Sequence, residues 1–442
     1  LTSPFILRRT ADILSKHLPP KTEYILFCNP TAAQGNLYRH VLASPLFQSV
    51  LRNSESALQL ITILKKVCNS PSLLKPKIED GKISDTSMNA FISSLPPNIH
   101  RCLSAGSSGK IRVLDQLLYN LQSMTSEKVV LVSNYTSTLN LLANLLTSLD
   151  LPFLRLDGST PATKRQALVD DFNRSPPSSC FAFLLSAKAG GTGLNLIGAS
   201  RLVLFDVDWN PATDIQAMAR IHRDGQKRHC HIYRLLLKGG IEEKIWQRQV
   251  TKLGLADSVM DQKGGIAHFS QEELKDLFRL DESSQCQTHE LLGCQCRGQG
   301  VITKEEDEEE KTDKSSEYSS ASLSENEDDD LNDSEEDMPD LPVLMKASEL
   351  KSSTAPQPLT KRQRAHEKAK KRFLMQYAHI DTSLLGPSSA EEETTSTDVD
   401  AKSSIKSSIG DEVLISLLKE EGSGVGYLFK KNGFSSPPLL VD

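Results

Sequence analysis

Five short apolar runs, each followed by a helix-length segment, constrain this chain more than any other feature. They are KVVLVS (128–133), PFLRL (152–156), CFAFLL (180–185), RLVLFD (201–206) and HIYRLLL (231–237). Runs of this length, rich in Val, Leu and Phe, read as buried strands. Segments of helical period lie between and after them, at 136–149, 161–173, 212–222 and 240–252. A strand that is apolar on both sides needs cover on both faces, and strand–helix–strand alternation supplies it. The expected fold class is α/β, a parallel sheet with helices on both faces. Ligands of such sheets sit beyond the carboxyl ends of the strands. The loops after 133, 156, 185 and 206 are therefore where chemistry is expected.

The flanks read differently. Residues 1–69 look helical, LQLITILKKVCNS (58–70) most strongly, and a link continues to about 105. The strand–helix region spans 106–260, with an extension over 261–300. Residues 1–300 carry a net charge of +8 and the remainder −14, so the two parts have different electrostatic roles. The acidic stretch 301–340 has too few apolar groups to offset ordering entropy and reads as disordered. KRQRAHEKAKKR (361–372) reads as a nuclear import signal, a DNA-binding patch or a solvated face. The Ser/Thr-rich stretch onward to about 409 also reads as unstructured. A short helix–strand element, DEVLISLLKEE (411–421) and VGYLFKK (425–431), is expected within 411–435. No apolar run reaches 18 residues, so a membrane is not an expected partner. Eight scattered cysteines suit a reducing compartment. A first residue of Leu1 rather than Met suggests a fragment or an incomplete gene model.

Three segments offer anion chemistry. SAKAGGTGLNL (186–196) follows the third strand, and Gly190, Gly191 and Gly193 let backbone N–H groups approach an anion. Lys188 adds charge, and Thr192 and Asn195 add polar contacts; the alternative is a tight turn. DVDWNPATD (206–214) turns at Asn210-Pro211, and Thr213 or Asp214 caps the next helix. On that helix Arg220 and Arg223 read as neighbours on one face, with Gln216 a turn earlier. Two guanidiniums so close suggest a shared anion, the alternative being a solvated face. SAGSSGKI (104–111) approximates a phosphate-binding G-x-x-x-x-G-K-[ST] loop, but Ser104 replaces the first Gly and Ile111 follows the Lys. It reads as a loop and helix start. No Asp-Glu box follows any strand.

SNYTSTLNLL, RLDGSTPATKRQALVDDFN, LLSAKAGGTGLNLIGASRLVLFDVDWNP and QAMARIHRDGQ occur in the order and spacing of one known lobe. Over roughly residues 1–300 the chain resembles the second RecA-like lobe of the switch/sucrose-non-fermenting family, superfamily-two translocases of double-stranded DNA. FILRRTADILSKHLPPK, KVVLVSNYT, GLNLIGA and IEEKIWQRQ resemble its homologous-recombination branch, the Rad-fifty-four type.

The resemblance implies an arginine finger at Arg223, a partner at Arg220 and an orienting contact at Gln216, acting on ATP with Mg held mainly by another lobe. Gly191, Gly193 and Asp214 are implied on the nucleotide side. Lys188, Thr192 and Asn195, with Ser133, Asn134 and Tyr135, are implied along the DNA backbone. Trp209 and Asn210 are implied to couple DNA to nucleotide, and Asp157 and Gly158 to support the same surface. Implied partners are double-stranded DNA and a recombinase filament, and the implied compartment is the nucleus. The acidic run itself reads as a contact for nucleosomes or histones, a restraint on DNA binding within the same chain, or a solvated linker. Ser70 stands where the family usually has a histidine. The branch also carries a zinc site near 286–296, where this chain has Cys286, His289, Cys294 and Cys296 with one residue, rather than two, between the last pair. Cys286 as fourth ligand gives a Cys3His set; a free-thiol tail is the alternative. A non-catalytic DNA- or chromatin-binding module that borrows a partner's nucleotide lobe is the competing function.

Overall fold

The structure, a computed structural model, describes residues 18–44, 54–74, 78–79, 82–83, 103–189, 193–256, 271–300, 368, 370–385, 396–420 and 422–433. Eight strands share one sheet: β1 (Lys21–Cys28), β2 (Val129–Ser133), β3 (Phe153–Leu156), β4 (Ala182–Ser186), β5 (Arg201–Leu204), β6 (Cys230–Leu237), β7 (Ala378–Asp381) and β8 (Val425–Gly433). Their order is β3-β4-β2-β5-β6-β1-β8-β7. Every pair from β3 to β1 is parallel. β8 runs antiparallel to β1, and β7 antiparallel to β8. The fold is α/β with a mainly parallel sheet, as the alternation predicts, and RecA-like, as the resemblance implies.

The helices are α1 (Ala32–Ala43), α2 (Ser54–Asn69), α3 (Gly109–Met124), α4 (Thr136–Ser148), α5 (Ala162–Arg174), α6 (Pro211–Met218), α7 (Ile241–Ala256), α8 (Gln271–Phe278), α9 (Gln287–Leu292), α10 (Ser396–Ile409) and α11 (Glu412–Lys419). Successive residues of a strand point to opposite faces, and the core divides accordingly. Tyr24, Leu26, Val129 and Leu131 pack with Leu114 of α3, Leu142 of α4 and Leu414 of α11. Val130 and Val132 pack with Phe172 of α5 and Met218 of α6. Ile25 and Phe27 pack with Leu64 of α2 and Trp246 of α7. Among the described residues no helix is long and apolar enough to cross a membrane.

Local sequence explains the helix starts. Thr31 and Gln34 form a reciprocal capping box at α1. Ser108 accepts from the Ile111 amide at 3.2 Å to open α3. At α6, Pro211 occupies the first turn and Asn210 accepts from the Ala212 amide at 3.1 Å.

Three expectations are corrected. Lys21–Cys28 is a strand within the span read as helical, because KTEYILFC is fully paired on both sides, by β6 and β8. α6 stops at Met218, four residues short of the expected 222. Ala378–Asp381 and Ser396–Ile409 are a strand and a helix inside the stretch read as unstructured. Their order comes from tertiary burial rather than propensity: Ile380, Ile405 and Ile409 all enter the core. The helix and strand expected at 411–435 are α11 and β8. The acidic run 301–340 and most of the basic cluster 361–372 lie outside the described residues.

Candidate functional site

The carboxyl ends of β2, β3, β4 and β5 bring the expected loops to one edge. Asp206, just after β5, organises that edge. Its carboxylate accepts from the Asn134 amide at 2.9 Å and side chain at 2.8 Å, from Ser133 Oγ, and from Asn69 of α2 at 3.2 Å. Lys65, buried on α2, donates to the Val207 carbonyl at 2.8 Å and lies 5.4 Å over the Tyr135 ring. Burial works against the Lys65 charge, but Tyr135, Asp206 and Glu242 more than offset it and raise its pKa. Ser133 and Asn134 are thus spent on shaping their own loop. Asp206, Asn69 and Lys65 are neighbours at this edge that the sequence alone does not single out.

After β3, Asp157 accepts from the Ser159 amide at 2.9 Å and pairs with Arg155 at 2.7 Å. The Ser159 hydroxyl first, and then the amide and Arg155, hold its carboxyl below the usual carboxylate range. Gly158 at the tip is exposed, with open space where a Cβ would stand. Arg165 of α5 donates to the Thr160 carbonyl at 3.0 Å and the Ala189 carbonyl at 3.1 Å, clamping this turn to the loop after β4. Lys188 in that loop is exposed. Gly190, Gly191 and Thr192 lie outside the described residues.

The other end of the glycine loop meets the arginines. Arg223 Nη1 donates to the Gly193 carbonyl at 2.7 Å, and the Leu196 amide donates to the Arg220 carbonyl at 2.9 Å. Gly193 has φ +34°, a conformation that favours glycine. Asn195 accepts through its carbonyl from Asn173 at 2.8 Å, while its Oδ1 is buried without a hydrogen-bond partner. Arg223 is exposed and Arg220 half-buried; burial and then the Arg223 charge pull the Arg220 pKa down. The two guanidiniums therefore feel each other, as the spacing suggests. They do so from a turn rather than from a helical face, since α6 has already ended. Gln226 builds that turn, donating to the Ala199 carbonyl at 2.8 Å and the Ile221 carbonyl at 3.0 Å. Gln216 is exposed on α6, Asn210 caps it, and Trp209 is half-buried against the core.

Asp214 does not belong with them. It is 1% exposed and bound to Arg234 at 2.8 Å and Gln249 at 2.8 Å, so its carboxylate is committed to the core rather than to a nucleotide. The loop-and-helix reading of SAGSSGKI is borne out, because Lys110 faces inward to Glu242 at 2.8 Å.

The cysteine cluster needs one correction. His289 Nε2 lies 2.8 Å from Cys294 Sγ and 3.1 Å from Cys296 Sγ, and the two sulfurs are 3.2 Å apart. Cys286 is not with them: its thiol, 1% exposed, points to Glu243 Oε1 at 3.8 Å. The fourth donor is His379 of β7, whose Nδ1 stands 3.3 Å from Cys294 Sγ and 3.7 Å from Cys296 Sγ. All four donor atoms lie within 4.8 Å of one another. No local spacing announces a residue 83 positions beyond Cys296.

The helicase conserved C-terminal domain matches residues 109–225 and the SNF2-related domain residues 1–73. The chain is 49% identical over 324 residues to the human DNA repair and recombination protein RAD54B, covering 70% of this chain and 35% of that protein. It is 46% identical over 300 residues to the DNA repair protein rhp54 of Schizosaccharomyces pombe, covering 67% of this chain and 35% of that one. The crystal structure of the C-terminal part of the Fun30 ATPase domain matches at 29% identity and a TM-score of 0.45, covering 59% of this chain and 97% of that one. The chain thus spans about a third of the length of its curated relatives. With both domain matches and these relatives along most of its length, the chain belongs to the SNF2-related proteins with a helicase C-terminal domain, on the branch of RAD54B and rhp54.

Proposed function

We propose that the chain supplies the arginine-bearing, DNA-gripping lobe of an ATP-dependent translocase of double-stranded DNA in homologous recombination and repair. The hydrogen bond from Arg223 to the Gly193 carbonyl supports this reading best. A translocase must pass the state of its nucleotide to its grip on DNA, and a bonded arginine turn and glycine loop form one element able to do so. Arg223 is the finger, Arg220 its partner and Gln216 an orienting group at the phosphates. Gly193 lies beside them, Gly191 is assigned with it to the nucleotide side, and another lobe of the longer protein holds ATP with Mg. Lys188, Thr192 and Asn195 take the DNA phosphates on a surface shaped by Ser133, Asn134 and Tyr135, with Trp209 and Asn210 beside it. Such contacts position the protein without reading sequence.

A recombinase filament is the proposed partner and the nucleus the proposed compartment. Residues 301–340 and 361–372 carry the charge for histone contact and nuclear import respectively. One structural zinc is proposed at His289, Cys294 and Cys296, where the donor types and separations fit the ion. In the full-length protein, Arg223→Ala should lower DNA-stimulated ATP turnover by on the order of 10³–10⁵ while nucleotide affinity changes far less. The chain alone should not turn over ATP. Unchanged turnover in the Arg223 variant would overturn the finger assignment.

A further inference from the structure

Resting on the zinc reading above, we propose that His379 is the fourth zinc ligand, and that the ion therefore clasps the C-terminal strand pair β7–β8 to the segment around α9.

The three local donors make an incomplete set. His289 opens toward Cys294 and Cys296 across a C-x-C bite, and structural zinc takes four ligands. His379 fills the remaining side of the cluster, and its orientation is fixed by the fold. Its Nε2 donates to the Leu374 carbonyl at 3.1 Å, which leaves the lone pair of Nδ1 facing the two sulfurs. A ligating histidine whose other nitrogen is tied to a backbone carbonyl is the usual arrangement at metal sites. Phe429 packs on the His379 ring at 4.3 Å between centroids, and Tyr427 stacks on His289 at 4.9 Å. Both aromatics belong to β8, so the strand pair holds both imidazoles.

The distances suit the ion. Tetrahedral zinc with Zn–S near 2.3 Å and Zn–N near 2.0–2.1 Å sets ligand separations of about 3.8 Å for S···S and about 3.6 Å for S···N. The sulfur–sulfur distance of 3.2 Å and sulfur–nitrogen distances of 2.8–3.7 Å are mostly shorter than those values, so the four side chains open outward to take the ion. Two thiolates with zinc are neutral overall, which removes the repulsion of close sulfurs in a mostly buried place.

The backbone brings the two segments together independently of any metal. The Asp381 amide donates to the Gly298 carbonyl at 2.9 Å, and the Gly300 amide to the His379 carbonyl at 2.9 Å. Gly298 has φ +70°, and a Cβ there would stand 2.6 Å from Asp381 Cβ. Cys296 and His379, 83 positions apart in the sequence, are thereby brought to one site. Cys286, which sequence position favours, is left as a buried thiol at the start of α9.

The test is zinc content of the full chain, made without a histidine tag, with hydrogen exchange at 378–381 and 425–433 as a second readout. The expected result is about one zinc per chain in wild type and in Cys286→Ser, and none in Cys294→Ser or His379→Ala. Chelation should speed exchange in both strands of wild type and add nothing in His379→Ala. Because His379 is buried, His379→Cys serves as the folding control and should retain zinc. Zinc kept by His379→Ala but lost from Cys294→Ser would overturn the clasp and leave the zinc reading standing. A wild-type chain without zinc would overturn both.

Discussion

Lys110 and Glu242 bind each other at 2.8 Å with neither side chain exposed. Lys110 also donates to Asn69 at 2.9 Å and lies 4.7 Å over the Phe205 ring, so every direction open to it is filled. A lysine at the end of a glycine- and serine-rich loop invites a phosphate-binding role; here it joins α3 to α7 instead. Lys110→Met would leave the Glu242 carboxylate buried without its cation, a change that costs roughly 3–5 kcal/mol. The urea midpoint should fall accordingly, and adding Glu242→Gln should recover part of the loss. Nucleotide affinity of the folded fraction should not change.

Arg201 of β5 holds the C-terminal segment in the same way. It bonds Asp411 at 2.8 Å and 3.0 Å and Glu127 at 2.5 Å, while Tyr233 also donates to Asp411. Asp411→Ala removes one of the two carboxylates that hold the buried Arg201 guanidinium and leaves Tyr233 without its acceptor, and should cost about 2–4 kcal/mol in urea unfolding. Asp276→Ala breaks a bridge to Lys244 in which Asp276 is 61% exposed, and should cost less than about 1 kcal/mol. Equal effects of the two would refute the distinction.

Acid should weaken the same region. His231, stacked on His229 at 4.4 Å, is held down to about 4, by burial first and then by the Arg201 charge, against the opposing pull of Asp411 and Glu127. The imidazole is neutral in the fold, and it regains an ordinary pKa near 6.5 on unfolding. Its contribution is therefore complete above about pH 6.5 and is lost as pH falls toward about 4, by at most about 1.4 kcal/mol per pH unit. Thermal unfolding followed between pH 7 and pH 4.5 should show a shallower decline in His231→Gln than in wild type.

Lys188 is the exposed charge of the proposed DNA surface. Lys188→Ala should weaken duplex binding to the same extent on unrelated sequences and reduce the salt slope by about 1. Fluorescence anisotropy across a salt series measures both. A loss confined to one sequence would speak against phosphate contact.

What the sequence disclosed was local. The runs at 128–133, 180–185 and 201–206 are apolar on both faces and could fold in few other ways. Arg220 and Arg223 stand three positions apart, and their spacing already placed them together, though on a helical face rather than the turn they occupy. Partners distant along the chain stayed hidden. Asp214 sits at a helix start and looks available until Arg234 arrives from β6. Cys286 is near its expected companions in sequence, yet the metal-type cluster takes His379 instead. KTEYILFC is apolar enough for either period, and only the two strands beside it decide the matter. α10 is rich in serine and has little helical propensity of its own; Ile405 and Ile409 are what anchor it.

The position of β1 also has a consequence for biosynthesis. Lys21 pairs with Gly433, so one side of this strand finds its ladder only in residues made very late. At the ~5–20 residues per second of translation, that interval is on the order of 20–80 s. Through it, YILF carries open backbone hydrogen-bonding groups that another nascent chain is able to pair with. β6, made before β8, pairs only the opposite side of β1, so the edge that β8 covers stays open until β8 emerges.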